Sequence, residues 1–353
     1  MRTTTTLSMP LPAVVGSFLL ATIVFLGGSH LMLPGIDRDA LASHLAAFPS
    51  SPAGQLSIIF LWVSPLFGAL CLAEIAKLIC PPLDRWQGAR RQNVYKFLIG
   101  VRALALCLSA YQGYGVVTAL ASMGLVSNPQ PFMMLLAIAG LVGGTAVTIW
   151  VTERLRLPEG NLGIFIMLIV PVMIRLARDA SGYIDAIRQG TIPPEKCLIV
   201  IGFVAISIAM IRSVYAGLSA GPAKPIDILV WPPVLAEVAT GHLLALAILF
   251  SPVEFQAEIG TVRTYALATT CALMPLFAYA YFRRRSARSG DASSPADRKT
   301  FLKVIVAQVA IVLGSVLIDI WSQPPLLLNA QILIAGVAIT LVALRGGIAG
   351  RES

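Results

Sequence analysis

Charged residues are scarce in this 353-residue sequence. Asp, Glu, Lys and Arg together make up 12% of it, about half of the roughly 25% found in soluble domains. Hydrophobic residues account for 57%, more apolar surface than one water-soluble core can hide, so composition places the chain in a bilayer. Long polar stretches are also missing: apolar runs follow one another with brief breaks from Leu11 to Leu344. No soluble domain of useful size fits between them, and a single membrane domain over 1–353 is expected.

Histidine is rarer still. His30, His44 and His242 are too few and too far apart for a proton relay or a metal cluster. The five cysteines, Cys71, Cys80, Cys107, Cys197 and Cys271, lie in or at the ends of apolar stretches without metal-ligand spacing, as small packing residues do. No Ser/His/Asp set, phosphate loop or catalytic carboxylate pair is found, so neither enzyme activity nor a cofactor is expected. A secretory signal would need a small-residue cleavage site after the first apolar stretch. Val14 to Leu33 instead runs into Pro34-Gly35-Ile36-Asp37, the pattern of a retained helix. The net charge of +9 does not point to nucleic acid, because the basic residues are scattered among short connections rather than gathered on a domain.

A bilayer core about 30 Å thick asks for about 20 apolar residues per helix. Ten such spans can be drawn: 14–33, 55–80, 97–121, 131–151, 162–178, 197–218, 228–250, 261–282, 303–321 and 327–345. With the N-terminus inside, twenty of the 26 Lys and Arg residues fall in inside connections, and only Arg38, Arg175, Arg178, Arg188, Lys196 and Arg263 fall outside. That split follows the positive-inside rule with both termini cytoplasmic.

Many membrane transport folds are built from two repeats. Here the second span contains Ser64-Pro65 and the seventh Trp231-Pro232-Pro233, equivalent positions if residues 1–195 and 196–353 are two five-helix halves. Each proline removes a helical hydrogen bond in an apolar medium where neighbours must compensate. Glu74, Glu237 and Asp319 sit in or near apolar spans, where an ionisable group is expensive. Glu74 and Lys77 have the i,i+3 spacing of a pair on one helix face.

Motifs spread in order along the chain resemble the SecY family of protein translocase channel subunits. Pro34-Gly35-Ile36-Asp37 with Ala40-Leu41 resembles "PGID…AL" after the family's first helix, and Leu56-Ser57-Ile58-Ile59-Phe60 with Ser64-Pro65 is similar to "LSRFSIFALGIMPYI". Gly88-Ala89-Arg90-Arg91-Gln92-Asn93-Val94-Tyr95 resembles "GRRKINQYTR", and Tyr111-Gln112-Gly113-Tyr114-Gly115 follows at the position of "QGFG". Trp150-Val151-Thr152-Glu153 with Glu159-Gly160-Asn161 is similar to "MWLGEQITERGIGNGIS", and Gly336-Val337-Ala338 falls on "VVGVALD".

The resemblance implies an all-α polytopic fold of about ten helices, in two pseudo-symmetric halves around a pore, with spans two and seven meeting at a lateral gate. It places the pore constriction at Val63, Phe67 and Leu333, leaves Met167 or Leu168 with Val172 open in span five, and puts Pro65, Pro233 and Glu237 at the gate. It implies a translocating polypeptide, small SecE/SecG-like membrane subunits, a motor ATPase, and cytosolic contacts through Arg90, Arg91, Arg283, Arg284 and Arg285. Those last arginines also suit a positive-inside anchor against anionic lipid.

Three departures from the family stand out. Only Ala42 to Gln55 remain where a plug helix is expected, Gly217 to Lys224 replaces a long cytosolic hairpin, and Arg283 to Lys299 is expected to be a short, mobile polar loop. The resemblance assigns ribosome and SecA docking to the two cytosolic loops, so their trimming argues against ordinary engagement. The expected function is a specialised channel for a narrow set of polypeptides in the bacterial inner membrane. A non-conducting scaffold or regulator and a ten-helix small-molecule transporter are the competing readings.

Overall fold

The structure is a computed structural model that describes residues 11–47, 56–127, 130–155, 163–190, 193–219, 225–250, 259–289, 295–321 and 330–349. They form helices connected by turns and short extended segments, with two isolated bridges, Met32 to Ser57 and Ile36 to Val126, as the strand-like pairing among the described residues. Helix is what a bilayer demands, because a backbone in lipid must satisfy its own hydrogen bonds. The chain divides into two compact units, one of Pro12–Val172 and one that begins at Met173.

The first unit holds α1 (Leu11–Ser29), α2 (Arg38–Ala47), α3 (Ser64–Ile79), α4 (Pro81–Ala89), α5 (Arg91–Ser122), α6 (Pro131–Arg154) and the start of α7 (Gly163–Arg188). The second holds the rest of α7 with α8 (Pro194–Ser219), α9 (Pro225–Phe250), α10 (Ile259–Ser289), α11 (Pro295–Trp321) and α12 (Ala330–Ala349). Proline opens α4, α6, α8, α9 and α11, where its missing N–H costs nothing because the first turn has no partner for it.

Among the described residues, five helical stretches are long and apolar enough to cross a membrane: Arg91–Ser122, Pro131–Arg154, Glu195–Leu218, Thr264–Arg283 and Lys299–Ile318. A sixth is added if α3 and α4, bent by 107° at Cys80, count as one span. Four apolar stretches are shorter, Val15–Ser29, Gly163–Leu176, Ile228–Leu244 and Ala330–Leu341. The protein is therefore a polytopic α-helical membrane protein, but length and composition do not establish ten spans.

Two sequence expectations change. The second span is not one helix over 55–80: residues 56–63 form successive turns, Phe60 N–H to Ser57, Trp62 N–H to Ile59 and Ser64 N–H to Leu61, and helix begins only at Ser64. Pro65 lies in the first turn of α3, so a helix continuing through Leu61 would lack the N–H that its carbonyl needs. The stretch after Arg283 is not a loop either, since α10 continues to Ser289 and α11 starts at Pro295. Arg and Ala are good helix formers, and cations near a helix C-terminus suit its dipole.

In the first unit α5 buries Val101, Ala105, Ser109, Gly113, Val117 and Leu120, a stripe with a step of three or four. Small residues in that stripe let α6 approach closely, and Ser109 and Thr145 share a 2.8 Å hydrogen bond there. At one end of this pair Leu33, Leu56, Leu61, Leu120, Leu125 and Leu141 form a core cluster. The Pro34-Gly35-Ile36-Asp37 motif wraps its edge: Gly35 has φ +83, Ser127 N–H donates to the Gly35 carbonyl and Asp37 N–H to the Leu125 carbonyl. Asp37 Oδ1 accepts from the amides of Asp39 and Ala40, both at 3.0 Å, and so caps α2. Helix α2 covers the first part of the stretch expected to replace the plug, and residues 48–55 lie outside the described residues.

In the second unit α9 packs against α10 and α12, and α8 against α11. Thr270 donates to Thr240 at 3.1 Å between α10 and α9, and Gly314 of α11 lies under the Phe203 ring of α8.

Candidate functional site

The expected constriction and gate residues fall on both units. In the first, Val63 is the N-cap of α3 and is 1% exposed. Pro65 is buried beside it, and Phe67 is half-buried with its ring edge-on to Phe165 of α7 at 6.3 Å. Met167, one of the two candidates in span five, is fully buried, while Leu168 and Val172 are half-buried. The start of α3 and the start of α7 are therefore in contact.

Trp62 makes that contact specific. Its backbone has φ +45, unusual for a bulky side chain, and its indole Nε1–H donates to the Met167 carbonyl at 2.6 Å. The Phe25 ring of α1 packs edge-on against it at 5.0 Å and 76°. Gly144 of α6 closes the wall, since a Cβ there would overlap the Ile58 carbonyl. Further along α3, Lys77 forms the expected ion pair with Glu74 and lies over the Phe97 ring, 5.2 Å from its centre.

In the second unit Pro232 and Pro233 are buried within α9 and Glu237 is exposed one turn later. Gln308 of α11, 1% exposed, donates through Nε2 to the carbonyls of Ile228 at 3.0 Å and Leu229 at 2.9 Å. Leu333 is half-buried on α12. Among the basic residues, Arg90 and Arg91 at the α4–α5 junction and Arg283 near the end of the apolar part of α10 are exposed. The side chains of Arg284, Arg285 and Asp319 lie outside the described residues.

Sequence reasoning named neither Trp62 nor Gln308 as a site residue. The signal for Gln308 was available as one amide side chain inside an apolar span; for Trp62 it lay only in the tertiary contact with Met167.

Among the described residues no group of three or more His, Cys, Asp or Glu could hold a metal ion. What the residues form instead is buried apolar packing around proline-interrupted helices.

No protein-family model matches the chain. In sequence it is similar to the protein translocase subunit SecY of Buchnera aphidicola, 27% identical over 190 residues that make up 48% of this chain and 42% of the relative. The SecY of Aquifex aeolicus is 22% identical over 201 residues, 52% of this chain and 47% of the relative, and that of Escherichia coli 27% over 185 residues, 48% and 42%. The aligned part is thus about half of each protein. In structure it is similar to a SecY channel described for its plug domain, with a TM-score of 0.59 at 11% identity, covering 97% of this chain and 93% of the other. A structure of a protein conducting channel gives a TM-score of 0.58 with the same identity and coverage. Sec61 in a canine ribosome-channel complex gives 0.57. The chain thus shares sequence similarity with SecY over about half its length and the SecY/Sec61 channel fold over nearly all of it.

Proposed function

We propose that this chain is a SecY-like channel subunit through which polypeptides cross or enter the bacterial inner membrane, with both termini cytoplasmic and a narrow substrate set. The observation that carries the reading is the combination of SecY sequence similarity with a fold shared over 97% of the chain with a protein conducting channel. In this reading residues 1–195 and 196–353 are the two pseudo-symmetric halves. Val63, Phe67 and Leu333 line the constriction, where an apolar narrowing excludes ions by dewetting. Pro65, Pro233 and Glu237 belong to the lateral gate. Small SecE/SecG-like subunits and a motor ATPase are the partners, with Arg90, Arg91, Arg283, Arg284 and Arg285 facing the cytosolic one.

The short connections between α8 and α9 and between α10 and α11 favour a second reading, a non-conducting scaffold or regulator. One experiment separates the two. A photo-crosslinking amino acid at Phe67 or Leu333, introduced during synthesis of exported proteins, captures polypeptide if the pore conducts. Capture of lipid alone at both positions would remove the channel reading and leave the scaffold.

A further inference from the structure

Proline at position n of a helix leaves the carbonyl of residue n−4 without its N–H partner. In α7 the interior proline is Pro171, and the carbonyl it orphans is that of Met167. In α9 the interior prolines are Pro232 and Pro233, and the carbonyls they orphan are those of Ile228 and Leu229. The Trp62 indole donates to the first, and the two hydrogens of the Gln308 amide reach the second and third. Each of these three acceptors thus receives a side-chain donor from another part of the same unit; the interior Pro275 of α10 frees a fourth carbonyl, that of Cys271.

We infer that Trp62 and Gln308 are positioning residues whose task is to cap the carbonyls freed by Pro171, Pro232 and Pro233, and so to hold two proline-interrupted membrane helices in place. Two observations and one chemical constraint favour this over ordinary packing. Gln308 Oε1 is buried without a hydrogen-bond partner among the described residues, so the position is arranged for the amide nitrogen at the expense of the oxygen. The reverse orientation would set an oxygen against two carbonyl oxygens, which fixes the assignment of the amide. Trp62 reaches Met167 from a left-handed backbone at φ +45, a conformation that persists only when its surroundings over-determine it.

Capping makes both side chains needed only because the prolines are there, which gives a test by double-mutant cycle. Trp62→Phe and Gln308→Met keep most of the volume and remove the donors. Each should lower the melting temperature of the full chain in detergent by about 2–4 °C or more. In the backgrounds Pro171→Ala and Pro232→Ala/Pro233→Ala, where a backbone N–H again reaches the carbonyls, the same substitutions should lower it by less than half as much. Equal losses in both backgrounds would overturn the assignment. If either single variant fails to accumulate, recovery of folded protein in the alanine background supports capping and continued failure refutes it. This readout requires no transport, so it stands or falls apart from the crosslinks at Phe67 and Leu333.

Discussion

Gly143 and Gly144 are neighbours on α6, yet an added methyl meets different surroundings at each. At Gly143 nothing lies within 4 Å, whereas at Gly144 the Cβ would overlap the Ile58 carbonyl, which is backbone and cannot swing away. Gly144→Ala should therefore destabilise the protein by about 1–3 kcal/mol, as overpacking does. Gly143→Ala should be neutral or stabilise it by about 0.5–1 kcal/mol through helix propensity. Thermal unfolding of the two variants side by side checks this, and equal melting temperatures would contradict the close approach of residues 56–63 to α6. Asp37 acts on the same scale. Its carboxylate accepts from the amides of Asp39 and Ala40, so Asp37→Ala should cost α2 about 1 kcal/mol. The loss should appear as faster hydrogen exchange at those two amides with the exchange of α5 unchanged.

At the scale of elements, α5 and α6 pack through faces that carry small buried residues, Ala105, Ser109 and Gly113 on one and Ala137, Gly144 and Thr145 on the other. The Ser109–Thr145 bond is buried between them. Ser109→Ala leaves the Thr145 hydroxyl, which is itself buried, without this partner at a cost of about 1–3 kcal/mol. Ser109→Ala with Thr145→Val removes both hydroxyls and should cost less than the single change. A larger loss in the double variant, read by thermal or denaturant unfolding, would show that the pair acts by shape and not by hydrogen bonding.

Helix existence was legible in the sequence at this scale, since every expected span contains or overlaps a helix. Helix ends were not. Residues 56–63 carry the same apolar composition as the helices around them, but Pro65 and the left-handed Trp62 break the run. At the other end Cys80 precedes Pro81-Pro82, and the chain turns through 107° into α4. The arginine-rich end of α10 is the opposite case: its polarity suggests a loop, but Arg and Ala are good helix formers outside the apolar part as well.

The property that belongs to the whole molecule is its charge asymmetry. Six of the 26 Lys and Arg residues lie in the connections assigned to the outside, and the orientation proposed from that split puts α4 at the cytoplasmic face and α2 at the other. In a variant lacking the five native cysteines, Arg38→Cys should react with a membrane-impermeant maleimide in intact cells. Gly88→Cys should react only after the inner face is exposed. Labelling of both from one side would reject the arrangement and, with it, the cytosolic placement of Arg90 and Arg91. The candidate site was only partly legible at this scale: the motifs pointed to Val63 and Phe67 and left Met167 or Leu168 with Val172 open, and the segments that carry these positions touch within one unit.

Membrane residence and helical class follow from the sequence by itself, because each depends on summed composition and needs no knowledge of which residues touch. Which side chains keep the proline-interrupted helices intact was decided only by tertiary structure. Trp62 lies 105 residues from Met167, and Gln308 lies 80 and 79 from Ile228 and Leu229. A missing backbone donor is visible in a sequence as a proline, but the group that replaces it is whichever side chain folding brings within hydrogen-bond reach.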